Sequence, residues 1–213
     1  MRNPAGEQRH GDSPHRHLDL IPPGSRFRDW LDLMERAEQA GGWQNYCREH
    51  GLFAAPSTEL VSALAEALGT GEPVLELGAG DGALAAALAR YGVPVTATDP
   101  EPRGPGVLAM DARSALALFQ PPCVLSCFAP SDAGVERAAA ACPAVKSILS
   151  IGPVVHGQPA ALWNLDARNW REIPAPRVNR YLLSRYDYTI DFTAATWRQA
   201  ARAVLLRRTG GNR

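Results

Sequence analysis

Hydrophobic and polar positions follow three successive regimes along the chain. Met1 to Leu20 has no periodicity: it is polar, with Gly, Pro and three histidines, two of them as His15-x-His17. Such a stretch reads as a solvated, disordered tail, with a metal site as the weaker alternative. Phe27, Trp30, Leu31, Met34 and Ala37 then recur at helical spacing, with Ser25 as the expected N-cap and Gly41-Gly42 as the stop. A shorter helical piece covers Trp43 to His50. Pro56-Ser57 opens a third helix with Leu60, Val61, Leu64 and Leu68 on its apolar side, ended by Gly69.

From Val74 onward apolar residues come in short blocks separated by amphipathic stretches. Val74, Leu75 and Leu77 stop at Gly78, Leu84, Leu88 and Tyr91 follow at helical spacing, and Val93 to Thr98 forms a second block that ends at Asp99. The order is strand, glycine turn, helix, strand. Leu108 to Ala112 reads as the end of a third strand, Cys123 to Phe128 as the fourth, Ser131 to Cys142 as a helix, and Ser147 to Ile151 as the fifth strand. Tyr186 to Phe192 and Ala203 to Arg207 are expected as the last two. Alternating strands and helices predict a doubly wound α/β sheet with helices on both faces. The expected divisions are a tail over 1–24, a helical lid over 25–55 and one core domain over 56–213. At 213 residues and 46% hydrophobic, the chain can bury the core of one compact domain.

The glycine turn carries the chemistry. Gly78, Gly80 and Gly82 permit a tight turn and close approach of a ligand to the main chain, and the following helix offers unpaired N–H groups. Asp99, about twenty residues on, stands where a carboxylate can accept from both hydroxyls of a ribose. Gly78-Ala79-Gly80-Asp81-Gly82-Ala83 also satisfies the dinucleotide fingerprint, so two cofactors compete. Glu76 favours S-adenosylmethionine (SAM) over NAD, because its charge suits an ammonium group and not a pyrophosphate. Asp111 adds a second carboxylate suited to an adenine amino group. After the fifth strand the chain leaves no room for a second mononucleotide half.

With these residues in place the sequence resembles the class I SAM-dependent methyltransferases over about residues 56–208. The joint signal is Glu76 to Gly82 as E-x-G-x-G-x-G, with Thr98-Asp99-Pro100 and Met110-Asp111-Ala112. The resemblance implies a Rossmann-like, seven-stranded, mostly parallel sheet whose last strand inserts antiparallel beside the fifth. It implies that Glu76, Gly78, Ala79, Gly80 and Gly82 line the methionine and ribose part of SAM. Asp99 with Pro100 would hold the ribose, Asp111 and the Ala112 N–H would read adenine, and Cys127 would close the set at the end of the fourth strand. The plainer alternative is that Asp99 caps a loop and Asp111 caps the next helix.

Charge and cysteine content narrow the picture only slightly. Lys and Arg balance Asp and Glu at 22 each, but residues 168–213 hold 10 basic and 3 acidic side chains. Cys47, Cys123, Cys127 and Cys142 show neither C-x-x-C nor paired His spacing, and no apolar run is long enough to span a bilayer. A cytoplasmic protein with free thiols and no metal is expected. A small-molecule substrate is expected as partner, not a membrane or a nucleic acid, and a homodimer is allowed for.

The acceptor has no direct signature. The fourth strand ends Cys127-Phe128-Ala129-Pro130, without the [DN]-P-P-[YFW] motif of methyltransferases acting on exocyclic or amide nitrogens. Residues 152–181 are Pro-rich, carry His156, Trp163, Trp170 and Tyr181, and are expected to shape the pocket. His156 is the candidate general base, with a hydrogen-bonded loop residue as the alternative. Trp43 and Tyr46 are lid candidates. The expected activity is methyl transfer to a small molecule, in specialised biosynthesis. Two alternatives stay open: a SAM-binding fold without methyl transfer, as a cyclase or partner subunit, and a methyltransferase acting on RNA or protein through the Arg-rich last segment.

Overall fold

A computed structural model describes residues 15, 18–22, 24–155, 158–159, 165, 169–191 and 196–209. The helices are α1 (Phe27–Ala40), α2 (Trp43–Glu49), α3 (Thr58–Leu68), α4 (Ala83–Ala89), α5 (Ala112–Phe119), α6 (Val135–Ala141) and α7 (Pro176–Tyr181). The strands are β1 (Val74–Leu77), β2 (Val95–Asp99), β3 (Val107–Ala109), β4 (Cys123–Cys127), β5 (Ser147–Val155), β6 (Gln158–Pro159), β7 (Trp170–Ile173), β8 (Tyr188–Asp191), β9 (Thr196–Arg198) and β10 (Ala201–Arg208).

The main sheet runs β3-β2-β1-β4-β5-β10-β7, and β6 pairs with the end of β5. The first five strands are parallel, and β10 enters antiparallel beside β5, with Val204 opposite Ser150. This is the mostly parallel Rossmann-like sheet that the sequence predicts. Its buried residues alternate in register. Val74, Leu125, Leu149 and Leu205 face α3, α4 and α7, while Leu75, Val124, Ile148 and Val204 face α5 and α6. Parallel strands covered on both faces are buried along their length, which is why these runs are mostly apolar, with Glu76, Ser126 and Ser150 as buried polar exceptions.

Two strand assignments need correction. Tyr188–Asp191 pairs with Thr196–Arg198 in a separate two-stranded sheet, and the outer strand of the main sheet is Trp170–Ile173, antiparallel to β10. Trp-Arg-Glu-Ile contains a single buried side chain, so no apolar block announces it. Trp170 packs on the α5/α6 face beneath the Arg208 guanidinium, 4.5 Å from its ring centre. The predicted helix 131–142 is interrupted at Gly134, whose φ of 61° ends a short 3-10 turn before α6 begins.

The N-terminal helices form a third core of their own. Trp30, Leu33, Met34 and Ala37 of α1 and Trp43, Tyr46 and Cys47 of α2 bury against Leu18, Ala55 and Leu183. Ser25 does not cap α1: its hydroxyl donates to the Pro22 carbonyl, and the Arg26 N–H is taken by Asp29 at 2.9 Å. Ser57 does cap α3, accepting from the Leu60 N–H at 3.1 Å. Among the described residues no helix is long and apolar enough to cross a membrane.

Candidate functional site

One cleft of about 1910 Å³ opens along the carboxyl ends of the parallel strands. In open α/β sheets ligands bind at this edge, because the chain diverges there to opposite faces and leaves a crevice. Glu76, Gly78, Ala79, Gly80, Asp99, Pro100, Asp111, Ala112 and Cys127 all line it. Gly82 lies just behind, its Cα facing Val107 of β3. The candidate base His156 lies outside the described residues, as does Trp163. Ile151, Gly152 and Pro153 of β5, the strand that precedes His156 in the chain, line the cleft.

Local physics fixes the glycine turn. Gly78, Gly80 and Gly82 all have positive φ, at 75°, 60° and 76°, where a side chain is strained. The N–H groups of Gly78 and Ala79 both donate to the Thr98 carbonyl, at 2.9 and 3.0 Å, which latches the turn to β2. A Cβ on Gly80 would meet an Arg103 guanidinium nitrogen at 2.7 Å, and one on Gly82 would meet Val107 Cγ2 at 2.6 Å. The turn is therefore pressed close against the segment joining β2 to β3.

The carboxylates around it have distinct states. Asp99 accepts from Gly80 N–H at 2.9 Å through one oxygen and from Glu101 N–H at 2.8 Å through the other. Asp111 caps α5, accepting from the Arg113 and Ser114 N–H groups, and from the Ser114 hydroxyl at 2.7 Å. Those bonds hold its carboxyl below the usual carboxylate range, the Ser114 hydroxyl contributing most. Both residues thus do the capping work that the plainer alternative describes, and both remain on the cleft wall. Asp81 caps α4 by accepting from Ala83 N–H at 3.0 Å.

Glu76 differs from all of these. It is buried between Leu75 and Leu77, and its Oε2 has no hydrogen-bond partner. Burial pushes its carboxyl up to about 8, Asp81 adds to the rise, and the Ala85 N–H opposes it. A buried polar atom without a partner is costly, so this oxygen is a place where a ligand donor would be favourable.

The other half of the cleft contains residues that sequence reasoning passed over. Phe53, Phe128, Arg185 and Tyr186 gather beyond the end of β4. Phe128 has φ of 56°, unusual for a bulky residue, and its N–H donates to the Ile151 carbonyl at 2.7 Å. Glu136 of α6 is buried and accepts from the Ser150 hydroxyl at 2.9 Å. No local signal marks these residues, since they are brought in by four separate segments, with Arg185 and Tyr186 sharing one. Trp43 and Tyr46, expected as lid residues, are not on the cleft wall. Trp43 donates its indole N–H to the Ser184 carbonyl at 2.8 Å inside the N-terminal core, and Gly51 to Ala54 line the cleft in their place. Tyr181 packs edge-on to Phe27, with ring centres 5.5 Å apart.

The chain matches no protein-family model and no curated protein in sequence. Solved structures give distant similarities of fold. A putative methyltransferase from an antibiotic biosynthesis pathway of Anabaena variabilis aligns at 23% identity over 44% of this chain and 44% of its own, with a TM-score of 0.36. The 23S rRNA methyltransferase ErmE aligns at 16% identity over 71% of this chain and 67% of its own, with a TM-score of 0.43. The mitomycin 7-O-methyltransferase MmcR aligns at 14% identity over 87% of this chain and 61% of its own, with a TM-score of 0.36. These similarities are of fold alone.

Proposed function

We propose that the protein is a SAM-dependent methyltransferase acting on a small-molecule acceptor in specialised biosynthesis. The observation that carries this reading is the start of α4. In dinucleotide folds the pyrophosphate takes the free N–H groups at that helix start. Here Asp81 accepts from the Ala83 N–H at 3.0 Å, and the Ala85 N–H lies near enough to the Glu76 carboxyl to oppose the rise that burial causes. Asp99, Glu101 and Asp111 lie on the same wall with Arg103 and Arg113 among them, so it is the carboxylates at the helix start, not the net charge of the wall, that disfavour a pyrophosphate there.

The residues fit the cofactor. Glu76, with its unpartnered oxygen, would take the ammonium group, and Gly78 to Gly80 would lie along the methionine chain. Asp99 would accept from the ribose, and Asp111 with the Ala112 N–H would meet adenine. SAM supplies an electrophilic methyl group on a sulfonium when bound. The protein's own contribution is alignment and exclusion of water by the cleft walls. His156 is proposed as the group that takes a proton from a hydroxyl acceptor, since β5 leads from the cleft wall directly to it in sequence.

A footprint for RNA in the Arg-rich last segment has less support. Arg208 donates to the Ala140, Cys142 and Val145 carbonyls, and Arg177 and Arg202 pair with Glu66 and Glu172. These cations serve the fold. The test is to incubate the chain with SAM and candidate aromatic acceptors and to follow S-adenosylhomocysteine by mass spectrometry. Acceptor-dependent formation supports methyl transfer. Tight SAM binding with no turnover on any acceptor would favour the non-transferring alternative.

A further inference from the structure

The acceptor half of the cleft is built by a long-range backbone contact. Ala54 and Ser184 form an antiparallel bridge, flanked by bonds from Ala55 N–H to the Leu183 carbonyl at 2.8 Å and from Arg185 N–H to the Phe53 carbonyl at 3.0 Å. This pairing sets Arg185 beside Phe53, with the guanidinium carbon 4.0 Å from the Phe53 ring centre and 5.0 Å from that of Tyr186. Phe128, directly after β4, lies between the two rings at 6.1 Å from Phe53 and 5.8 Å from Tyr186, tilted by 31° and 26°. Phe128 is thus stacked on Tyr186 and tilted against Phe53.

Arg185 has no direct ion-pair partner on this wall, because the buried carboxylate two residues on, Asp187, is taken by the Ser184 N–H and hydroxyl and the Ala200 N–H. The Arg185 Nη2 donates to the Tyr186 hydroxyl at 2.9 Å, while its Nε is buried with no acceptor. Among the described residues no carboxylate lies within ion-pair distance of it. An arginine stays protonated at any physiological pH, so a guanidinium held against rings with an orphaned N–H is a costly arrangement unless something completes it. The missing partner is an oxyanion, because the guanidinium fork matches a carboxylate in shape as well as charge. The aromatic rings beside it favour a flat partner that can pack on them.

We infer that this half of the cleft binds a planar, conjugated acceptor bearing a carboxylate, with Arg185 on the oxyanion and Phe53, Phe128 and Tyr186 on the ring faces. The inference rests on the methyltransferase reading for the word acceptor, and on the cleft alone for the ligand chemistry. Arg185 and Phe53 then select the substrate class, and the glycine half of the cleft takes no part in that selection.

The experiment titrates the full chain with naphthoate, with naphthamide, which keeps the rings but not the charge, and with cyclohexanecarboxylate, which keeps the charge but not the flat ring. Naphthoate should bind about tenfold more tightly than either, the scale of one charge-assisted hydrogen bond or one ring stack. Arg185→Gln should erase the preference of naphthoate over naphthamide, and Phe53→Leu should weaken naphthoate and naphthamide together. Equal binding of the three probes, no binding of naphthoate, or a preference that survives in Arg185→Gln overturns the inference. The comparison on the unmodified chain decides the matter even if Arg185→Gln does not fold. Titration with S-adenosylhomocysteine on the same samples separates the two claims. Its failure alone sinks the methyltransferase reading, and loss of probe discrimination alone sinks this one.

Discussion

The backbone N–H of Gly80 donates to one oxygen of Asp99 at 2.9 Å, joining the glycine turn after β1 to the tip of β2. Asp99→Ala removes that tie and the proposed ribose acceptor together. S-adenosylhomocysteine affinity should fall roughly ten- to a hundredfold. Asp99→Asn, which keeps one oxygen for the Gly80 N–H, should fall less. Calorimetry on the folded variants measures both, and a wild-type constant for Asp99→Ala would remove the ribose assignment.

Glu76 gives the cofactor-free protein a pH dependence of defined sign. Its carboxyl is raised from 4.5 to about 8 by burial first and Asp81 second. Between those values the folded chain keeps a proton that the unfolded chain has released. The contribution of Glu76 to stability is therefore full below 4.5 and is lost as pH rises toward 8. Glu76→Gln should stabilise the protein at pH 8 by on the order of 1 to 3 kcal/mol and change little at pH 4.5. Denaturant titrations at the two values test this, and identical shifts at both would contradict it. A cationic ligand beside Glu76 should also release part of a proton at pH 7, visible as a buffer-dependent heat of binding.

Gly82 and Gly92 separate strain from crowding. Both have positive φ, at 76° and 79°, but a Cβ on Gly82 meets Val107 at 2.6 Å whereas one on Gly92 meets nothing closer than Thr70 at 3.9 Å. Gly92→Ala should cost about 1 kcal/mol from backbone strain alone, and Gly82→Ala about 1 to 3 kcal/mol more. Gly82→Ala should also weaken S-adenosylhomocysteine binding, because it pushes β3 and Asp111 away from the turn. Equal losses in thermal denaturation would mean that β3 yields freely.

The N-terminal helices are tied through Trp43 to the segment that carries Arg185. Trp43→Phe leaves the buried Ser184 carbonyl without the indole N–H and should cost about 1 to 2 kcal/mol. Its effect on naphthoate binding should exceed its effect on S-adenosylhomocysteine binding, since Ser184 adjoins Arg185. The reverse order would place the N-terminal core under the cofactor half.

What the sequence disclosed follows the range of the interactions. β1, β4 and β5 are largely apolar blocks because both faces of each are covered, and the glycine turn is spelled by the one residue that a left-handed backbone favours. β7 is half polar and pairs with a strand about thirty residues later, so nothing local distinguishes Trp170 to Ile173 from loop. Trp43 and Tyr46 carry an aromatic signal that suits a lid as well as a core, and only tertiary packing puts them in the latter. The pairing of Phe53 with Arg185 crosses most of the chain and leaves no periodic trace.

The central claim, that the glycine half of the cleft is a SAM site and not a dinucleotide site, is tested most directly by calorimetric titration of the full chain with S-adenosylhomocysteine and, in parallel, with NAD. Saturable binding of S-adenosylhomocysteine at one site per chain, with no heat from NAD, is the predicted result. Saturable binding of NAD, or no binding of S-adenosylhomocysteine to the folded protein, would contradict it.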